Sequence, residues 1–140
     1  MVVDAQGIPL AYAVDAANVS ETALGPAALA MLAVMLPWLD WTPEAPTPVL
    51  ADKAYDSDWL REHLAGLGFT LITPHKSNRV RPPMIDGRRL RRYRRRYRIE
   101  RTFAWLHSFR RVVNRYEKRC RNFEGFVQLA CAFITLGNLI

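Results

Sequence analysis

The 140 residues of the chain are enough for one domain with one hydrophobic core, and half of them are apolar. This composition predicts a folded globular unit and excludes an intrinsically disordered chain. The net charge of +7 at pH 7 indicates a polyanionic partner, and the basic residues are concentrated between Asn78 and Arg121, where only Asp86, Glu100 and Glu117 are acidic. We therefore expect one basic surface on the protein.

Neither a signal peptide nor a membrane span is expected. No basic residues precede an apolar run at the start of the chain, as they would in a signal peptide. The apolar stretches 27–39 and 123–140 are interrupted by proline or polar residues and are too short for a bilayer. Cys120 and Cys131 lack metal-binding spacing, so we expect two free thiols. These features predict a cytoplasmic protein without a membrane partner.

The first half of the chain alternates strands with helices. A hairpin is predicted at the start, with strands at 1–4 and 8–14 around the turn Ala5-Gln6-Gly7. The hairpin opens without the beginning of its first strand, so we expect further residues upstream. The next predicted elements are a helix from Ser20 to Pro37, a proline-rich loop over 38–48, a strand at 49–53, a helix at 58–67 and a strand at 69–73.

The second half is dominated by arginines. After a polar loop over 76–87, we predict one continuous helix from about Arg88 to Arg119 and a last apolar helix over 122–140. Strands that alternate with helices after a hairpin indicate an α/β fold with a mixed sheet covered by helices. In such folds, polar side chains just beyond the carboxyl ends of strands tend to be functional, and Asp52 ends a predicted strand.

Rotation of the basic helix by 100° per residue separates two faces. The apolar face would pack on the sheet or on the last helix and consists of Ile99, Phe103, Leu106, Phe109, Val112 and Val113. A polar arc beside it contains Tyr93, Arg96, Glu100 and His107. Glu100 is the only acid in this arc, and a helix-stabilising pair with Arg96 is the non-functional explanation for it.

Three other features also have two interpretations. Asp52 either opens a turn or serves a functional site at the strand end. The arginine run is either a solvated face or a surface for a polyanion, and its density favours the polyanion because like charges repel. The interleaved aromatic residues either stack on bases or belong to the core, which helical spacing favours; they are Tyr93, Tyr97, Phe103 and Trp105.

Two segments resemble bacterial insertion-sequence DDE transposases. The stretch VLADKAYDSDWL, residues 49–60, is similar to the segment around their second catalytic aspartate. Tyr93, Arg96 and Glu100 fit the Y-x2-R-x3-E part of their Y-R-E-K signature, and His107 stands at the position of its lysine. The opening hairpin and the segment RNFEGFVQLACAFITLGNLI also look like this group, so the resemblance covers nearly the whole chain.

The resemblance implies an RNase H-like fold, with residues 1–140 forming part of the catalytic domain. It also implies two aspartates and one glutamate that bind Mg²⁺ or Mn²⁺. Asp52 and Glu100 would be two of these catalytic metal ligands. The resemblance implies that the first aspartate lies on a strand before the hairpin, and that strand is absent here. Asp4 follows a predicted strand, but its context is that of a turn. The expected DNA-binding residues are Tyr93, Arg94, Arg95, Arg96, Arg98 and His107.

The implied reaction is phosphodiester hydrolysis followed by strand transfer at insertion-sequence ends. Transposon-end and target DNA would be the substrates, and an upstream-frame product or a second copy of the chain would be a further partner. Such a protein acts in the bacterial cytoplasm, on the nucleoid when it is bound to DNA. Two alternatives stay open, a metal-dependent nuclease of the same fold and a basic DNA-binding remnant without catalysis. The remnant is favoured by the missing first aspartate.

Overall fold

The computed structural model describes residues 1–16, 18–36, 42–85 and 87–138. The chain forms two compact units. The terminal unit contains Met1–Leu29 and Tyr97–Ile140, and the central unit contains Ala30–Arg96. Asp52 therefore belongs to the central unit and Glu100 to the terminal unit.

The terminal unit begins with the predicted hairpin. Strand β1, Val2–Val3, pairs antiparallel with β2, Pro9–Ala11, which is shorter than the predicted strand. The turn between the strands is organised by Asp4, whose Oδ1 accepts hydrogen bonds from the amides of Gln6 and Ile8, both at 2.8 Å. Asp4 thus has the turn-forming role that its sequence context predicts.

Gly7 in this turn lies directly against the helix α4, Tyr97–Leu106. Its φ of +88° is in the region that favours glycine, and a Cβ at this position would lie 3.0 Å from the carbonyl oxygen of Arg98. The fully buried hydroxyl of Thr102 donates to the carbonyl of Gly7. The hairpin and α4 are therefore joined by a contact that only a glycine allows.

Helices α4, α5 (Arg110–Val113) and α6 (Cys120–Gly137) build the core of the terminal unit. The predicted last helix is confirmed over its described part, although it begins two residues earlier than expected. The core of the unit has three buried side chains at its centre, and five partly buried residues pack against them. The buried residues are Leu106, Ala130 and Ile134, and their neighbours are Met1, Trp105, Phe109, Val112 and Cys131.

The predicted apolar face is only partly correct. Leu106 is buried, whereas Phe103 is 44% exposed and Val113 is 49% exposed. The inner position next to Phe103 is taken by Thr102, since its hydroxyl finds a carbonyl partner in the hairpin. A buried hydroxyl with such a partner avoids the cost of an unsatisfied polar group, so a threonine replaces the expected phenylalanine.

The prediction of one helix from Arg88 to Arg119 is wrong. The segment consists of helix α3, Gly87–Leu90, a 3₁₀ helix over Arg91–Arg96, and helices α4 and α5. The 3₁₀ helix holds the Arg96 guanidinium in an ion pair with Asp52 at 3.1 Å, a tertiary contact that helical periodicity does not predict. The break after α4 has a local cause, because the Ser108 hydroxyl donates to the Trp105 carbonyl at 2.7 Å.

The central unit contains a parallel strand pair with a connecting helix. Strand β3, Thr47–Leu50, pairs in register with β4, Phe69–Ile72. Helix α2, Asp58–Gly66, joins them and ends before Gly68, whose φ is +79°. The side chains buried in this unit include Leu60, Leu64, Phe69, Leu71 and Ile72.

The predicted mixed α/β class is confirmed, but the single mixed sheet that was predicted is not found in the described residues. In the described part of the chain, the strands form two two-stranded sheets, one antiparallel and one parallel. Helix α1, Glu21–Met35, agrees with the predicted helix after Ser20, and Pro37 lies outside the described residues. No helix within the described ranges has the length and apolarity needed to cross a membrane.

Candidate functional site

Asp52 follows β3 by two residues, at the carboxyl end of the parallel strand pair. Its side chain is 49% exposed, and its Oδ2 accepts a hydrogen bond from Arg96 at 3.1 Å. The hydroxyl of Thr73, which is 0% exposed, donates to the backbone carbonyl of Asp52 at 2.7 Å. A buried neighbour thus holds the backbone while the carboxylate faces solvent.

Arg96 reaches Asp52 from the 3₁₀ helix Arg91–Arg96, which packs on β3. Residues three apart eclipse each other in such a helix, and the Arg96 guanidinium accordingly lies 5.7 Å from the ring centroid of Tyr93. The structure therefore brings together three of the predicted site residues, Asp52, Tyr93 and Arg96.

The other predicted site residues have different surroundings. Arg94 and Arg95 are exposed on the 3₁₀ helix, and the side chain of Arg98 is half-buried on α4. Glu100 is exposed on α4, and His107 is exposed directly after the end of α4. Because the segment is not one helix, Tyr93 and Arg96 do not share a helical face with Glu100 and His107. The convergence of Asp52 and Glu100 stays a prediction.

Asp56 is at the centre of a buried hydrogen-bonded cluster that the sequence did not predict. Its buried carboxylate accepts hydrogen bonds from Arg61 at 2.7 Å, His75 at 3.0 Å and Arg79 at 3.3 Å. A fourth hydrogen bond comes from the backbone amide of Lys76 at 2.8 Å. This carboxylate connects the start of α2 to the loop after β4.

A signal for this cluster is present in the sequence but ambiguous. An aspartate just before a helix is usually an N-cap, and Asp56 lies two residues before the first residue of α2. Ser57 has the N-cap position, without a side-chain cap hydrogen bond. The imidazole and guanidinium groups in the loop after the neighbouring strand, His75 and Arg79, are the indication that Asp56 has another role.

The environment of Asp56 lowers its pKa. Burial alone would raise the pKa of this carboxyl, but hydrogen bonds from Arg61, the Lys76 amide and His75 outweigh burial and lower it from 3.8 to about 2. Asp56 is therefore ionised at neutral pH, and both of its carboxylate oxygens accept hydrogen bonds from the loop or from α2. It is poorly available as a metal ligand.

A second acid, Asp58, also forms an ion pair with Arg79 and is more exposed than Asp56. Its carboxylate accepts hydrogen bonds from Arg79 at 2.6 Å and from Arg81 at 3.1 Å. The hydrogen bond from Arg79 is the main reason why the pKa of Asp58 is lowered. Arg79 therefore bridges a buried and a more accessible acid, which anchors the loop after β4 at a second point.

An open cleft lies beside Asp52 in the central unit. It is lined by Asp52, Lys53, Ala54, Lys76, Ser77 and Asn78. Both lysines are exposed, so the cleft that contains the carboxylate is also lined by two cationic side chains. In the part of the chain that the structure describes, no three or more His, Cys, Asp or Glu side chains are grouped closely enough to hold a metal ion.

Comparison with known proteins identifies the family. Residues 1–134 match the transposase DDE domain, and the chain belongs to this family. It is 31% identical over 149 aligned residues to a Burkholderia cepacia protein named for the transposase of insertion sequence element IS402, with 99% of this chain and 62% of that protein covered.

A second relative, from Brucella ovis, is named for the transposase of insertion sequence element IS6501. It is 43% identical over 89 residues, which cover 63% of this chain and 66% of the relative. The chain thus spans somewhat less than two-thirds of the length of each relative. No solved structure matches the chain significantly. The resemblance to bacterial insertion-sequence DDE transposases is confirmed.

Proposed function

We propose that this chain is part of a transposase that cuts and joins DNA at the ends of an insertion sequence. In this proposal, residues 1–140 form part of an RNase H-like catalytic domain, and Tyr93, Arg96 and Glu100 are the Y-R-E residues of its signature. The main support is Asp52, an accessible carboxylate at the carboxyl end of a parallel strand pair in a chain of the DDE family.

Asp52 and Glu100 are the proposed ligands of Mg²⁺ or Mn²⁺. Mg²⁺ and Mn²⁺ prefer carboxylate oxygens as ligands. The side chains of Asp52 and Glu100 are exposed, so an ion can reach them from solvent. When bound, a pair of such ions activates the attacking oxygen and stabilises the leaving oxygen of a phosphodiester. In this proposal, the third carboxylate lies on a strand before the hairpin. The carboxylate of Asp4 already binds the amides of its own turn.

Arg96 is expected to compete with a metal ion for Asp52. Its guanidinium binds Asp52 Oδ2 in a half-exposed pair, and such pairs contribute at most about 1 kcal/mol. Arg96→Gln should therefore tighten Mn²⁺ binding by up to about fivefold, because 1.4 kcal/mol corresponds to a factor of ten. Titration of free Mn²⁺ by electron paramagnetic resonance measures this affinity.

Arg95→Gln is the matched control for that titration, since Arg95 is exposed on the same 3₁₀ helix. It removes the same charge without removing a partner that contacts Asp52 directly. Weaker Mn²⁺ binding by the Arg96 variant than by the control would show that Arg96 supports the metal site and does not compete with the ion.

DNA is the proposed substrate, contacted by Tyr93, Arg94, Arg95, Arg96, Arg98 and His107. Joint replacement of Arg94, Arg95 and Arg98 by glutamine should lower the slope of log K against log salt by roughly 2 to 3, about one for each phosphate that an arginine no longer neutralises. Fluorescence anisotropy with a labelled duplex at several salt concentrations measures the slope.

The charge-matched variant replaces Arg115, Arg119 and Arg121, which are exposed around the start of α6. We expect it to reduce the slope less, because these residues are outside the proposed DNA-binding set. Equal reductions would mean that DNA binding reflects net charge alone. An unchanged slope in the first variant would mean that its arginines do not contact phosphate.

A strand-transfer assay tests the reaction itself. A duplex with a labelled 3′-OH end should be joined to target DNA in the presence of Mg²⁺ by a protein that contains this chain and the third carboxylate. A nuclease of the same fold would only hydrolyse the duplex. A non-catalytic DNA-binding protein would bind the duplex without any metal-dependent change in either strand. Joined product is the result that supports the proposal over both alternatives.

A further inference from the structure

The cleft beside Asp52 has two sides, and the side opposite Asp52 contains no proposed metal ligand. One side consists of Asp52, Lys53 and Ala54, which follow β3, and the other consists of the loop residues 76–78, which follow β4. Both sides belong to the central unit. The parallel pairing of β3 with β4 brings the two chain segments together at one edge.

The loop side is anchored by Asp56 on both flanks. Lys76 donates its amide to Asp56 Oδ2, the preceding His75 binds Oδ1, and Arg79 binds Oδ1 from the other end of the loop. A carboxylate whose side chain is only 1% exposed thus fixes the backbone from which Ser77 and Asn78 extend. The loop is therefore held at both ends by hydrogen bonds to one buried carboxylate.

The strand side is equally well supported. The amide of Tyr55 donates to the Asp52 carbonyl at 3.0 Å, and the amide of Asp56 donates to the Lys53 carbonyl at 3.1 Å. Thr73 supplies a third hydrogen bond, to the Asp52 carbonyl. A site with both walls preformed loses little conformational entropy when a ligand binds.

The chemistry of the lining favours an anion. Lys53 and Lys76 provide exposed ammonium groups, and the side chains of Ser77 and Asn78 can donate hydrogen bonds. The charge of Asp52 would repel an anion, but Arg96 offsets that charge at 3.1 Å. Lysine is a common phosphate ligand, and serine and asparagine also contact the DNA backbone.

We propose that this cleft binds a backbone phosphate of DNA next to the one that reacts. Lys53 and Lys76 are the charged ligands, Ser77 and Asn78 are hydrogen-bond donors, and Asp56 is the positioning residue that fixes the loop. The inference rests on the proposed function, since it assigns the path of the DNA strand past Asp52.

The first test is a salt titration of duplex binding. Lys76→Gln should lower the slope of log K against log salt by about one, which weakens binding by up to about tenfold at 0.1 M salt. Lys118→Gln removes the same charge from an exposed position before α6 and should change the slope less. Ala54→Leu narrows the cleft without changing charge and should also weaken binding.

The second test is direct crosslinking. Asn78→Cys should form a disulfide by thiol exchange with a duplex that has an activated mixed disulfide tethered to one backbone phosphate, releasing the small leaving thiol. Glu62→Cys, exposed on α2, should not react in this way. Cys120 is exposed and is replaced by alanine in both variants. Cys131 can stay, because it is partly buried and burial raises the pKa of its thiol.

The role of Asp56 has its own readout. In an Asp56→Asn background, Lys76→Gln should have little further effect on the slope, and the Asn78→Cys crosslink should weaken. Arg79→Gln releases one end of the loop and replaces Asp56→Asn if that variant does not fold. A Lys76 effect and a crosslink that are both undiminished in the folded variant would overturn the positioning role.

Failure of this inference is distinguishable from failure of the proposed function. If the unmodified chain does not bind duplex DNA, the proposed substrate is wrong. If it binds, and only the variant of Arg94, Arg95 and Arg98 has a reduced slope, the transposase proposal stands. Full binding by Lys76→Gln, together with no crosslink at residue 78, overturns the phosphate site.

Discussion

Asp52→Asn and Glu100→Gln are each expected to abolish metal-dependent DNA nicking and to leave DNA affinity within about threefold of the unmodified protein. Loss of a group that only orients a metal ligand costs 10- to 100-fold, so loss of a ligand itself should cost at least about a hundredfold. The assay needs a protein that also has the third carboxylate, and supercoiled DNA with Mg²⁺ reports nicking as relaxation.

Measuring nicking and DNA binding separately shows whether a substitution affects catalysis or affinity. Both substitutions remove a negative charge, which slightly favours DNA binding, so weaker binding cannot explain an absence of nicking. Glu62→Gln is the matched control, since Glu62 is exposed on α2 in the same unit as Asp52. Nicking within about tenfold of normal in either catalytic variant would remove that residue from the metal site.

On the proposed assignment of Asp52 and Glu100 as metal ligands, the chain by itself should bind Mg²⁺ weakly and nick DNA poorly, because two carboxylates do not supply the ligands of two ions. Addition of a segment with the upstream strand and its aspartate should restore nicking. If the 140-residue chain nicks DNA equally well, another local carboxylate completes the site. Asp4 and Asp56 would then have to leave the hydrogen bonds that hold them in this structure.

Asp56→Asn is expected to lower the free energy of unfolding by about 3 kcal/mol at pH 7, the largest loss from one polar substitution that we predict. Removal of one partner from a buried ion pair leaves the opposite charge uncompensated, which costs about 3 to 5 kcal/mol. The asparagine recovers part of this stability, because its carbonyl oxygen can still accept a hydrogen bond. Arg61 is the partner most affected, because it is buried beside Asp56. Urea denaturation followed by circular dichroism measures the loss.

The contribution of Asp56 also depends on pH. Its pKa is about 2 in the folded protein and ordinarily 3.8, so folding favours the ionised form. The stabilisation is fully present above about pH 4 and is lost as the pH falls towards 2. The difference in stability between the unmodified chain and Asp56→Asn should therefore shrink over this interval.

Asp58→Asn provides the comparison for this measurement. Asp58 shares Arg79 with Asp56, but its side chain is 16% exposed and that of Asp56 is 1% exposed. We expect a smaller loss of stability, since solvent screens the more accessible pair. Similar losses for the two variants, or a pH-independent difference for Asp56→Asn, would contradict the assignment of Asp56 as the central residue of the cluster.

Local signals in the sequence determined much of this protein. Turn residues and apolar runs predicted the hairpin, the helix α2 between two strands, and the last helix, because each signal acts within a few residues of the element that it defines. The position of Asp52 after a strand followed from the same reasoning. The motifs around Asp52 and Glu100 were specific enough, taken together, to predict the DDE transposase family.

Only the tertiary structure decided which side chains meet. Asp56 precedes a helix and resembles a cap, but a buried carboxylate requires cations, and these come from residues up to 23 positions away. Arg96 pairs with Asp52 across 44 residues because the basic segment adopts a 3₁₀ helix there, which periodicity at 100° per residue did not predict. Thr102 displaced Phe103 from the core for a similar reason: burial depended on a carbonyl that the distant hairpin supplies. Each of these contacts joins residues that are far apart in the sequence. The helical periodicity of one segment therefore does not predict which residue of another segment will contact it.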